Sequence, residues 1–363
     1  MSDFINHGWL LPVELYKSFY VLLTTLSLIF VWFFCLFNKN FLNKNFLFIS
    51  NYIGWFVFLI LFLLISFRPV HYLFGDMVAY DIHFENYKGL DTIKGGDLLF
   101  EILLFSFSKN FNSSSFFFFC TVIYFFTLYI SYKKFFKDFW AIAFLLSCSV
   151  ITFYGFAVNG IRNGIAAHIF LIALSYNKRF SWIILIISIG LHSSMILPTI
   201  GYVLYKISKN LSMFLVFWFL CLIVSLFYSG FGDLIQFFGF SNDRLNDYLN
   251  AGDTYSDQFS KEGYRYDFIL YGFLPILVSS YYIFRRKFVD ENYNTIVAVY
   301  LFSNSIFLLL NEVAFSNRFA YLSWFLIGII IFYPIYHLRE SRDKNIFLVS
   351  LGFLLSINFI VNY

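Results

Sequence analysis

Long apolar runs recur along this chain, each closed by a short polar turn. Stretches near the 20 residues that carry a helix across a bilayer lie at 18–37, 47–67, 115–132, 139–157, 160–177, 211–230, 267–284, 293–312, 318–336 and 345–361. The pattern predicts an all-α, polytopic transmembrane helical bundle of about ten spans. Basic clusters punctuate it at Lys39/Lys44, Lys133/Lys134/Lys137, Lys178/Arg179, Lys206/Lys209, Arg285/Arg286/Lys287 and Arg339/Arg342/Lys344. The positive-inside rule assigns all six to the cytoplasmic side. One interval, from Phe180 to Tyr205, does not fit. As a single helix its 26 residues would rise about 39 Å and deliver Lys206 to the wrong face. The expectation is therefore a re-entrant helical hairpin, broken near His192-Ser193-Ser194 or Pro198, since non-helical backbone at that depth must be buried or line a wet cavity.

Composition agrees with a membrane solvent. Sixty per cent of the residues are hydrophobic, 13% are charged, 55 are Phe, and the mean hydropathy is +0.74, which excludes an ordinary soluble domain. No linker or low-complexity tract marks off a second body, so residues 1–363 read as a single integral membrane domain. The first apolar stretch lacks a small-residue cleavage site and reads as a retained helix. Net charge of +4 is accounted for by cytoplasmic turns and calls for no nucleic acid. Cys35, Cys120, Cys148 and Cys221 sit inside apolar runs as small hydrophobes. No metal-ligand spacing, P-loop, G-x-G-x-x-G, G-x-S-x-G or H-E-x-x-H pattern occurs, so no metal or cofactor is expected.

Two longer connections fall on the outer side, 69–97 and 231–266, with an amphipathic piece at 98–112. Their Tyr, Asp, Asn and Gly content suits carbohydrate, with aromatic faces for sugar rings and polar groups for hydroxyls. Isolated basic groups stand at the outer ends of three apolar segments: Arg162, flanked by Asn159 and Asn163; His192; and Arg318, with Tyr321 one turn along. Outer-face arginine is disfavoured as an orientation signal, so an anion is the simplest shared partner. Guanidinium at a helix start suits phosphate oxygens. Headgroup anchoring for Arg162, an ion pair with Glu312 for Arg318 and a structural role for His192 are the competing readings. His168, Asn304 and Asn311 read as interhelical hydrogen-bonding groups.

The series Arg68…Gly75-Asp76…Tyr80, Asp97-x-x-Phe100, Gly160-Ile161-Arg162-Asn163-x-x-Ala166, His192-Ser193-Ser194, Arg244-x-x-x-Tyr248 and Asn317-Arg318-Phe319-Ala320-x-x-Ser323 resembles the EpsG/Wzy-type bacterial polysaccharide polymerases. The resemblance implies a GT-C-like glycosyltransferase at the outer face of the bacterial cytoplasmic membrane. It would join undecaprenyl-diphosphate-linked oligosaccharide repeat units into a growing O-antigen, capsule or exopolysaccharide glycan. Arg162 and Arg318 would hold diphosphates, and His192 would assist proton transfer or acceptor orientation. Arg68, Asp76, Tyr80, Arg244 and Tyr248, with Asn159, Asn163 and Tyr321, would contact substrate. Membrane lipids and a chain-length regulator are the implied partners.

Two other functions compete. A flippase for the same lipid-linked units needs charge along a path open to both faces, whereas the spans here are nearly charge-free. A membrane O-acyltransferase should carry Arg or His in its early spans, and 20–37 has neither.

Overall fold

The structure is a computed structural model, and it describes residues 10–37, 43–93, 95–176, 180–228, 263–313, 316–340 and 343–362. The described residues form helices joined by turns, and all ten expected spans are helical. In chain order the helices are α1 (Leu15–Phe37), α2 (Lys44–Ser66), α3 (Met77–Lys88), α4 (Leu98–Ser108), α5 (Ser113–Phe136), α6 (Trp140–Cys148), α7 (Ile151–Val158) and α8 (Ile161–Tyr176). They continue as α9 (Phe180–Leu191), α10 (Ile196–Ser208), α11 (Leu211–Phe227), α12 (Tyr266–Ser280), α13 (Glu291–Leu309), α14 (Asn317–Trp324), α15 (Ile327–Leu338) and α16 (Asp343–Asn362). Among the described residues, five helical stretches are long and apolar enough to cross a membrane, and further apolar helices are shorter.

Local chemistry sets the ends. Asn43, Asn112 and Asp290 accept from the amides of Phe46, Ser115 and Tyr293 at 2.8, 2.8 and 2.7 Å, capping α2, α5 and α13. Each satisfies one of the amides that a helix start leaves without a partner. Two expected spans are interrupted: 139–157 breaks between Cys148 and Ile151, and 318–336 between Trp324 and Ile327. The segment 180–205 breaks where the sequence predicts. His192 takes an extended conformation, φ −154° and ψ 114°, and a 3₁₀ turn over Ser193–Met195 follows. Pro198 falls in the first turn of α10, where its missing N–H costs nothing. The connection 69–97 contains a 3₁₀ turn at Tyr72–Phe74 followed by α3. Connection 231–266 lies almost wholly outside the described residues, and Arg244 and Tyr248 lie there.

The chain forms two compact units, residues 1–196 with 331–363, and residues 197–330. In the first, α8 packs against α5, α7 and α9, and α4 packs against α3, α5 and α9. Its polarity is inverted relative to a soluble protein. Leu22, Leu26, Phe30 and Phe33 of α1 are exposed while Arg68, Asp97, Glu101 and Arg162 are buried. A hydrocarbon surround permits this, because apolar side chains lose nothing by facing it and polar groups must be satisfied internally.

In the second unit α13 packs on α11, α12 and α14. Asn304 accepts from Trp218 Nε1 at 2.8 Å and donates to Ser323 Oγ at 3.1 Å, tying three helices together as the sequence suggests. Asn311 differs: it is buried, and neither amide atom has a hydrogen-bond partner among the described residues.

Candidate functional site: a buried arginine, aspartate and histidine

Three chain segments far apart in sequence deliver the site. Asp97 stands at the start of α4, Arg162 in the first turn of α8 and His192 just past the end of α9. Asp97 Oδ2 is 3.0 Å from Arg162 Nη1 and 3.0 Å from His192 Nδ1. Its other oxygen accepts from the Ser193 amide at 2.9 Å, an amide made available by the helix break. Gly190 lies at the approach of α4 to α9. A Cβ there would lie 2.7 Å from Leu99 Cδ1, so a larger residue would require the Leu99 side chain to shift.

A second acid lies behind the first. Glu101, one turn along α4 and almost fully buried, places Oε1 3.9 Å from Arg162 Nη1. Its Oε2 accepts from Tyr87 Oη at 2.9 Å and is 3.6 Å from His83 Nε2. Arg162 Nε donates to Tyr80 Oη at 3.1 Å, and the guanidinium carbon lies 5.2 and 5.5 Å from the Tyr80 and Phe100 ring centres.

The connection before α3 is locked to the same helix start. Asn159 Oδ1 accepts from the Asp76 amide at 2.9 Å. Gly75 makes the turn with φ +67°, and a Cβ there would stand 2.4 Å from Asn159 Cγ. Left-handed geometry and lack of space both require glycine at that position.

The electrostatics fix protonation states. Burial alone would raise the Asp97 pKa, but the hydrogen bond and charge of His192, the Ser193 amide and the Arg162 charge together hold it well below the usual carboxylate range. Asp97 is therefore an ionised, acceptor-only group at neutral pH, and the proton between it and His192 belongs to Nδ1. In the neutral imidazole the basic lone pair is then on Nε2. A carboxylate so placed fixes the tautomer and orientation of the imidazole.

The expected site residues divide accordingly. Tyr80, Asn159, Arg162 and His192 come together in the first unit, with the Asp76 backbone. Arg162 and His192 are not isolated cations, because Asp97 pairs with both. Tyr80 is buried against the guanidinium. Asn163 is buried, its Oδ1 lacking a partner among the described residues, and Arg68 is buried elsewhere in the same unit. Arg318 and Tyr321 belong to the second unit, on α14. Asp97 and Glu101 are the acids that sequence reasoning left out of the site. Their signal was available: two carboxylates four apart, one of them alone inside the apolar run Leu98-Leu99-Phe100-Glu101-Ile102-Leu103-Leu104.

Helices with lipid-facing apolar surfaces and a buried ionic cluster at their ends define a polytopic helical membrane protein. The chain matches the family model of the EpsG family over residues 51–363 and belongs to that family. No curated protein and no solved structure matches it significantly. Membership in the EpsG family indicates a membrane protein of the polysaccharide-polymerase type.

Proposed function

We propose that this protein lengthens a bacterial surface polysaccharide by joining oligosaccharide repeat units carried on undecaprenyl diphosphate, at the outer face of the cytoplasmic membrane. The single observation that carries the reading is the histidine oriented by a buried, ionised Asp97 that Arg162 neutralises. In the proposed step the acceptor sugar hydroxyl attacks the anomeric carbon of the donor glycan. The bond from that carbon to the diphosphate oxygen breaks, and the diphosphate leaves with the electron pair. The hydroxyl proton passes to His192 Nε2, while Asp97 stabilises the imidazolium through Nδ1. Such a positioned base is worth about 10²–10⁴ in rate.

Arg162 keeps Asp97 ionised and holds Tyr80. Arg318, on the second unit, is assigned to a lipid-borne phosphate, for which a guanidinium supplies a bidentate fork. Asp76 and Asn159 shape the connection that borders the glycan. Connection 231–266, with Arg244 and Tyr248, is assigned to glycan as well. A flippase is the second reading. It is disfavoured because Asp97, Glu101 and Arg162 gather near the starts of α4 and α8, with no charged path continuing along the described spans.

Deleting the gene and resolving the surface polysaccharide by gel electrophoresis tests the proposal. A ladder that collapses to a single attached repeat unit supports the polymerase. Loss of even that single unit supports the flippase, and an unchanged ladder sinks both.

A further inference from the structure

The first unit contains a second buried cation whose surroundings differ from those of Arg162. Arg68 follows the last turn of α2 and is 6% exposed. Its Nη1 donates to the Ile65 carbonyl and lies 3.4 Å from Thr121 Oγ1, and its guanidinium carbon is 5.9 Å from the Phe117 ring centre. The opposite edge of the guanidinium, Nε and Nη2, has no hydrogen-bond partner among the described residues. The titratable groups that feel its charge are the Cys120 thiol and the Tyr154 and Tyr16 phenols, with no carboxylate among them. Burial pushes the guanidinium down to about 10, which still leaves it cationic at neutral pH.

Two further donors beside it are unsatisfied. Tyr16 Oη and Ser66 Oγ are buried and without hydrogen-bond partners among the described residues. The Tyr16 ring packs 5.3 Å from Phe74, the residue before Gly75, so this group of buried donors borders the turn that Asn159 holds. Arg162 has its carboxylate; Arg68 has none among the described residues. A buried charge with no counter-charge is strongly disfavoured. These buried donors also have a shape: Nε–H and Nη2–H are parallel and form the bidentate fork that fits two oxygens of one phosphate.

We infer that the Nε/Nη2 edge of Arg68, with Tyr16 Oη as an additional donor, is a phosphate-binding site for a lipid-borne phosphate. Resting on the polymerase reading, the ligand is the diphosphate of a polyprenyl-linked substrate, with Asp97 and His192 as a separate proton-handling centre. A phospholipid headgroup offers the same oxyanion, and the test separates the two.

The full-length protein, delipidated and reconstituted in phosphatidylcholine nanodiscs, would be titrated with geranylgeranyl diphosphate and followed by native mass spectrometry and thermal unfolding. Wild type is expected to hold the diphosphate, Arg68→Gln to weaken it by about tenfold or more, as for a lost charge-assisted bond, and Tyr16→Phe by a smaller factor. Tyr16→Phe removes a hydroxyl that has no hydrogen-bond partner among the described residues, so its unfolding temperature without ligand should stay at the wild-type value and the binding loss is not a folding defect. Unchanged binding in both variants overturns the site. Equal displacement by phosphatidylglycerol overturns the assignment to the substrate diphosphate. Because the readout is binding, a deletion strain with a normal ladder would remove the polymerase reading and leave the phosphate site standing. Absent binding beside a collapsed ladder would do the reverse.

Discussion

Asp97 and His192, 95 residues apart in sequence, meet through a 3.0 Å contact between Oδ2 and Nδ1, and the same oxygen is 3.0 Å from Arg162. One carboxylate thus serves two basic groups, and replacing it tests both roles. Asp97→Asn should cut the elongation rate by about 10²–10⁴, the contribution of an oriented base. It should also cost about 3 kcal/mol of stability, the low end for breaking a buried ion pair, because Glu101 remains 3.9 Å from the guanidinium. Chain-length distributions and thermal unfolding of the purified protein report the two effects separately.

Glu101→Gln separates the two acids. Glutamine keeps an oxygen to accept from Tyr87 and leaves the Asp97 contacts to His192 and Ser193 in place. Stability should fall by about 1–3 kcal/mol as one buried partner is weakened, while polymer length stays near wild type. A ladder collapsed to single units in this variant would assign the chemistry to Glu101 instead.

The Asp97 pairing carries a pH signature. Burial opposes ionisation, but its hydrogen bonds and neighbouring charges lower its folded pKa below the unfolded value of about 3.9. A depressed carboxylate contributes stability that is fully present above the unfolded value and is lost as pH falls through the folded one. The gap in unfolding temperature between wild type and Asp97→Asn should therefore be flat from about pH 7 to 5 and narrow only below about pH 4. A gap that closes between pH 7 and 6 would instead point to histidine titration as its source.

At Gly75 both the φ of +67° and the 2.4 Å approach to Asn159 exclude a side chain. Gly75→Ala should destabilise by about 1–3 kcal/mol and shorten the polymer by displacing the turn before α3. Adding Asn159→Ala relieves the clash but not the backbone strain, so unfolding measurements on the double variant should recover only part of the loss. Full recovery would show that space alone matters.

Lys209 ends α10 with φ +47°, and its amide donates to the Tyr205 carbonyl at 2.8 Å. A left-handed conformation costs an L-residue roughly 1–2 kcal/mol. Its 3.9 Å contact with Glu291 involves two exposed side chains, so little is lost there. Lys209→Gly should raise stability by about 1 kcal/mol, measured by thermal unfolding. A decrease would mean that the basic charge at this helix end matters more than the backbone.

By itself the sequence determined the helical class, the positions of the ten expected spans and the break at His192. Each follows from local quantities: the length of an apolar run, the capping residues, and a segment too long for one half-span and too short for two full ones. It also singled out Arg162 and His192, because lone basic groups in apolar surroundings are conspicuous. Only the tertiary structure decided what those groups touch. Asp97 reaches both because α4 packs against α9 at Gly190 and the 3₁₀ turn aims the Ser193 amide at its second oxygen. Arg68 differs from Arg162 only in what surrounds it, an unpaired guanidinium edge against phenols in one case and carboxylates in the other. Pairing between residues 65 to 95 positions apart depends on which helix faces meet, and hydrophobic periodicity alone does not specify that in a chain whose helices are apolar on nearly every side.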